Sequence, residues 1–148
     1  MAMDAFSASL MADKREIIFA PTVYKFQTFA QMAEEFQLNE RDVVLTNEFI
    51  YTPFMKELGL ECSFVFQEKF GAGEPSEAMI QTMYDAIPYD SYDRVIAVGG
   101  GAIMDLCKLL GCKRPDTVHN LYFKRFPVVH EKDVIAIPTT CGTGSECT

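Results

Sequence analysis

Two glycine-rich turns, each directly after a short apolar run, are the segments best placed to do chemistry. The first lies in residues 94–102 (RVIAVGGGA), where Gly99, Gly100, Gly101 and Ala102 lead into a helical pattern at 103–110 (IMDLCKLL). Bare glycine backbone lets a bulky anion approach closely, and the free N–H groups and dipole at a helix start favour negative charge. A pyrophosphate fits that description. The second turn lies in residues 134–146 (VIAIPTTCGTGSE), where Thr139, Thr140 and Thr143 stand beside Gly142 and Gly144. Hydroxyls beside bare glycines suit ribose, phosphate or base edges. Neither turn matches Gly-x-Gly-x-x-Gly or a Walker lysine motif, which separates the chain from ordinary Rossmann and P-loop proteins. Plain turn geometry is the alternative for three consecutive glycines, and two such turns in one small sheet favour binding.

The other chemistry-bearing residues are less ordered. The five cysteines, Cys62, Cys107, Cys112, Cys141 and Cys147, contain no Cys-x-x-Cys pair and read as reduced thiols. His119 and His130 lack the i, i+4 spacing that would put both on one helix face, and read as structural or exposed. Asp105 and Lys108, three apart on one helix, suit a surface ion pair.

Elements that would position the turns follow from alternation. Residues 42–46 (DVVLT), 62–67 (CSFVFQ), 94–98 (RVIAV) and 134–137 (VIAI) are β-branched, apolar runs of the kind buried inside a parallel sheet. Between them, Met79, Ile80, Met83, Tyr84 and Ile87 recur at helical spacing over 76–87, as do Phe29, Met32, Ala33 and Phe36. These stripes predict core packing. Thr28 with Gln31 predicts a capping box, Thr52 and Pro53 a helix start, and Gly59 a helix end. Strand and helix in alternation predict an α/β fold: right-handed crossovers and a mostly parallel sheet with helices on both faces, ligands binding at the carboxyl ends of the strands. Residues 21–148 form one expected domain, while residues 1–20 are left open between an edge strand and a disordered segment.

Composition narrows the function classes. With 148 residues, 49% of them apolar, the chain can bury one sizeable core. Its formal charge of −8, from 13 basic and 21 acidic residues, comes without a basic cluster, so nucleic acid is not an expected partner. No apolar run is long enough to cross a bilayer and no signal peptide stands at the start, so a cytoplasmic location without membrane attachment is expected.

The segments 97–108 (AVGGGAIMDLCK) and 138–148 (PTTCGTGSECT) together resemble the iron-containing alcohol dehydrogenase family. Within it, residues 45–49 (LTNEF), 66–69 (FQEK) and 73–76 (GEPS) look most like the branch that interconverts 4-hydroxybutyrate and succinate semialdehyde with a nicotinamide cofactor. The resemblance implies a dehydroquinate-synthase-like nucleotide-binding domain taking NAD(H), with NADP(H) left open. It implies that Gly100, Gly101 and Ala102 lie along the pyrophosphate, that Thr139, Thr140, Thr143 and Thr148 touch the adenosine or nicotinamide halves, and that Gly99 and Asp105 are on the cofactor side. Asn47, where the family usually has Asp, is placed at the ribose. Ala102 in place of Ser removes one phosphate hydrogen bond, and Glu74 in place of Asn before Pro75 is a third departure.

The family also holds a divalent metal, iron, with one Asp and three His in a helical domain that follows the nucleotide domain. Two histidines cannot supply three ligands, so the expectation is a truncated, NAD(P)-binding part that binds without catalysing, with neither catalytic nor metal-ligating residues of its own. A small alcohol or aldehyde substrate and a homo-oligomer are expected of the intact enzyme. The alternative is a non-catalytic nucleotide-binding or oligomerisation module using the same fold.

Overall fold

The computed structural model describes residues 22–123, 125 and 127–147. The alternatives for residues 1–20, and the assignment of Thr148, lie outside the described residues.

Four strands form one sheet in the order β2-β1-β3-β4. They are β1 (Asp42–Thr46), β2 (Ser63–Phe66), β3 (Arg94–Gly99) and β4 (Asp133–Pro138). Every pairing is parallel, with Val43 opposite both Ser63 and Val95, and Val95 opposite Val134. Helices α1 (Phe29–Glu35), α2 (Glu48–Phe54), α3 (Glu77–Ala86), α4 (Gly101–Gly111) and α5 (Val118–Tyr122) connect or flank the strands.

Alternation along the central strands divides the core into two layers. Val43, Leu45, Val95 and Ala97 face Met79, Ile80, Met83 and Tyr84 of α3 and Ile103, Leu106 and Leu110 of α4. Val44, Ile96 and Val98 face Met32 of α1 and Ile50 of α2 on the other side. The helical stripes expected from spacing are therefore the packed faces, with helices on both sides of the sheet. Burying each Val, Leu or Ile there contributes about 1.5 to 3 kcal/mol.

The helix starts are set by local chemistry. The Thr28 hydroxyl accepts from the Gln31 N–H at 3.3 Å, and the Gln31 side-chain oxygen Oε1 accepts from the Gln27 N–H at 2.9 Å, one residue before the cap. Ser76 caps α3 by accepting from the Met79 N–H at 3.2 Å. One expected start is displaced: α2 opens at Glu48 behind the N-cap Asn47, and Pro53 sits in its last turn instead of its first. Buried Ile50 anchors the earlier start, and the donor that Pro53 lacks falls where the helix is already ending. Gly59, at φ +60, ends the short 3-10 turn Lys56–Leu58.

Two expected strands differ in burial and length. β2 covers only Ser63–Phe66, with Gln67 already in a 3-10 turn, and it is half-buried. β4 runs further, from Asp133 to Pro138, and is also only partly buried. Both are edges of the described sheet, paired on one side only, so the full burial implied by their apolar composition holds for β1 and β3 alone.

At the amino edge, the Arg94 guanidinium grips the Asp42 carboxylate with two bonds of 2.7 and 2.8 Å and donates to the Phe36 carbonyl at 3.0 Å. Asp42 is 2% exposed and also accepts from the Asn39 N–H at 2.8 Å. This pair locks β1 to β3 at the end opposite the glycine turns, leaving the carboxyl edge for ligands.

Candidate dinucleotide site

In the order β2-β1-β3-β4 the chain leaves β1 toward β2 on one side, then crosses to β3 on the other. The crevice between the carboxyl ends of β1 and β3 is thus a topological switch point, where open α/β sheets take their ligands. Both glycine turns and Asn47 open onto that edge.

The three glycines have three different neighbours. A Cβ on Gly99 would lie 2.4 Å from Cδ1 and 3.1 Å from Cβ of Ile103, so this glycine admits the close packing of α4 against β3. A Cβ on Gly101 would lie 3.1 Å from both Cγ2 and Oγ1 of Thr143. Here the missing side chain lets the second turn close over the start of α4. Gly100 is the open position: a Cβ would meet only Thr140, at 3.4 and 3.6 Å. Gly100 is also the N-cap of α4, extended at φ −84 and ψ −173, and no side chain caps the helix. The amide donors of the first turn, including those of Gly101 and Ala102, are therefore left for something other than a protein cap.

The second turn is tied to the first by the Thr139 N–H, which donates to the Gly99 carbonyl at 2.9 Å. Gly142 and Gly144 hold φ of +114 and +68, backbone that a side chain would strain, and they turn the loop back over α4. Thr140 and Thr143, both exposed residues, consequently stand at Gly100 and Gly101, and the Thr143 hydroxyl also accepts from the Ser145 N–H at 3.4 Å. Spacing alone gave no hint that the two turns touch each other.

Asn47 follows the last residue of β1, and its side-chain amide donates to Glu68 Oε1 at 3.0 Å and to Gln67 Oε1 at 3.4 Å. Glu68 Oε1 also accepts from the Glu48 N–H at 3.1 Å, so the carboxylate beyond β2 caps α2 from outside. Sequence reasoning gave Glu68 no role of its own; it stood only inside the 66–69 segment that carries the resemblance, just past a strand end. Asp105, further along α4, pairs with the Lys108 ammonium at 3.3 Å.

The thiols and imidazoles have structural surroundings. All five cysteines are free, and burial together with the nearby Asp42 charge pushes the Cys62 thiol up to about 11. His119 lies 3.6 Å from a Glu77 carboxylate oxygen and His130 lies 3.7 Å from Cys112 Sγ. Among the described residues no group of three or more His, Cys, Asp or Glu side chains converges on a metal position.

Residues 20–148 match the iron-containing alcohol dehydrogenase family, and the chain belongs to it. It is 45% identical over 129 residues to 4-hydroxybutyrate dehydrogenase of Clostridium kluyveri, covering 87% of this chain and 35% of that protein. It is 39% identical over 83 residues to the mitochondrial hydroxyacid-oxoacid transhydrogenase of Rattus norvegicus, covering 51% of this chain and 18% of the relative. Among solved structures it resembles the iron-containing alcohol dehydrogenase of Thermotoga maritima, at 25% identity and a TM-score of 0.59 over 81% of this chain and 35% of the other. The fold also matches sulfoacetaldehyde reductase of Bifidobacterium kashiwanohense in complex with NAD+, at 24% identity and a TM-score of 0.62 over 81% of this chain and 33% of that one. The chain therefore spans about a third of the length of 4-hydroxybutyrate dehydrogenase and of the two solved structures, and less of the transhydrogenase. No described helix is long and apolar enough to cross a membrane.

Proposed function

We propose that this chain is the dinucleotide-binding part of an oxidoreductase that interconverts 4-hydroxybutyrate and succinate semialdehyde, and that it binds NAD(H) at the switch point. The observation that carries the reading is the meeting of the two glycine turns, with Thr140 against Gly100 and Thr143 against Gly101 over the uncapped start of α4. Identity of 45% to 4-hydroxybutyrate dehydrogenase supports the substrate class.

Each part of the edge has a task in this reading. The amides of Gly101 and Ala102 and the dipole of α4 hold the pyrophosphate, with open Gly100 admitting it to the backbone. Thr140 and Thr143 donate hydroxyls to the phosphates or the adjoining ribose, and Thr139 fixes the loop to β3. Gly99 keeps α4 tight on the sheet so that its amides point at the crevice. Asn47 and its neighbours face the adenosine end. When bound, the nicotinamide supplies the hydride donor or acceptor. Among the described residues no ligand set for a metal is formed, and none of these roles depends on one.

Calorimetric titration of NADH into the chain tests the reading, with folding checked by circular dichroism. Saturable, one-to-one binding is expected, and heats no larger than dilution from a folded chain would refute it. The same 148-residue species should not reduce succinate semialdehyde with any added divalent metal, because its two histidines fall short of the family's ligand set. Metal-dependent turnover by this species would refute the separation of binding from catalysis. The cytoplasmic location and a homo-oligomeric assembly belong to the same proposal, and sedimentation of the chain checks the assembly.

A further inference from the structure

We propose that Glu68 is the residue that reads the adenosine ribose and turns away a 2′-phosphate, so that the site selects NAD(H) although residue 47 is neutral. The inference rests on the dinucleotide reading and concerns a residue that neither glycine turn contains.

A carboxylate at this edge normally would need a reason to stay in place, since Glu68 is exposed and its side chain has three rotatable bonds. Two donors supply it: the Asn47 amide at 3.0 Å and the Glu48 N–H at 3.1 Å. Both address Oε1. Among the described residues Oε2 accepts no hydrogen bond, and a carboxylate has about four acceptor positions in all. The free oxygen can take the hydroxyls of a ribose, which are donors of the right kind.

The position suits the ribose. Glu68 lies just past β2, and β2 is separated from β3 by β1 alone. Two strand spacings are about 10 Å. A hydrogen bond from the α4 amides to the phosphate, the adjoining ribose and a hydrogen bond from its hydroxyl together span such a gap. A 2′-phosphate would come to rest against the same oxygen with like charge, and with the neighbouring carboxylate of Glu48 adding to the repulsion. Asn47, the residue at the end of β1, then acts through Glu68: its amide holds the carboxylate in place, and its neutrality does not by itself open the site to NADP(H). The competing charge is Lys69, whose ammonium sits 5.5 Å from the Phe66 ring centroid and could serve a 2′-phosphate if it swung toward the crevice.

Paired titrations of NADH and NADPH into the chain and into Glu68→Gln decide the matter. Glutamine keeps an acceptor for the Asn47 amide and the Glu48 N–H, so the fold should hold, as checked by circular dichroism. The wild-type chain should bind NADH at least about tenfold tighter than NADPH, and Glu68→Gln should shrink that ratio about fivefold to tenfold, mainly through tighter NADPH binding. Glu35→Gln, on α1 before β1 and so at the opposite edge, should leave the ratio unchanged. Preference for NADPH, or none, in wild type would overturn the proposal in favour of Lys69. An unchanged ratio in Glu68→Gln, or equal weakening of both cofactors with a lowered melting temperature, would reduce Glu68 to a helix cap. Binding of neither cofactor to wild type would instead refute the dinucleotide reading itself.

Discussion

Gly100→Ala distinguishes a phosphate cradle from a sharp turn, because the structure leaves room for the methyl group in the absence of ligand. At φ −84 and ψ −173 alanine is unstrained, and its Cβ would meet only Thr140 at 3.4 and 3.6 Å, ordinary contact distances. Removing a glycine from an unstrained position raises stability by about 0.4 to 1 kcal/mol through the unfolded chain. The melting temperature should therefore hold or rise slightly. A bound pyrophosphate is a different matter, since the methyl group would stand between its oxygens and the backbone. Losing one charge-assisted hydrogen bond of roughly 1.5 to 3 kcal/mol weakens binding about 10-fold to 150-fold. Calorimetric titration of NADH beside thermal melting reads both quantities on one preparation. Equal affinity in a folded variant would refute the cradle. Gly99→Ala provides the contrast: its Cβ, 2.4 Å from Ile103 Cδ1, should lower the melting temperature by overpacking, at about 1 to 3 kcal/mol.

Three further predictions concern the edges of the sheet. Asp42→Ala should destabilise the fold by about 3 to 5 kcal/mol in urea denaturation, because it leaves the partly buried Arg94 guanidinium without its partner; a loss below 1 kcal/mol would mean that the pair behaves as a surface bridge. Cys62, ordinarily at 9.0 and raised to about 11 by burial, makes the unfolded chain release its proton first, so its contribution to stability should be constant below pH 9 and fall between pH 9 and 11 by roughly 1 to 2 kcal/mol. In Cys62→Ala that part of the decline should vanish, and an identical alkaline profile would contradict the assignment. Asn47→Asp replaces the amide that holds Glu68 with a second carboxylate, and the added negative charge should weaken NADPH more than NADH in paired titrations; an unchanged ratio would mean that charge at residue 47 is not felt at the ribose.

Much of the architecture was legible because the signals were periodic. The stripe from Met79 to Ile87 and the runs at 42–46 and 94–98 specify which faces are buried, and the parallel sheet follows from their alternation with helices. The edges were harder to read. β2 and β4 have the composition of buried strands, yet burial depends on neighbours that a one-dimensional pattern does not reveal. Pro53 misled because proline favours the first turn of a helix, whereas packing of Ile50 started α2 a turn earlier. In the site, the glycine turns stood out by composition, but their division of labour did not. That Gly99 faces Ile103 and Gly101 faces Thr143 is a matter of tertiary approach. Gly111 is a similar case: a Cβ there would lie 2.5 Å from Val134 Cγ2, so it seats the end of α4 against β4. The role of Glu68 was hidden for the same reason, since its partners are Asn47 and Glu48, about twenty residues earlier in the chain.

The location of the cofactor is the central claim, and amide chemical shifts test it most directly. In nitrogen–proton correlation spectra of the labelled chain, added NADH should shift the amides of Gly100, Gly101, Ala102, Thr140 and Thr143, with smaller shifts at Asn47 and Glu68. Amides at the amino edge around Arg41, Asp42 and Asp93 should stay in place. Shifts confined to that opposite edge, or no shifts at all in a folded chain, would contradict the account.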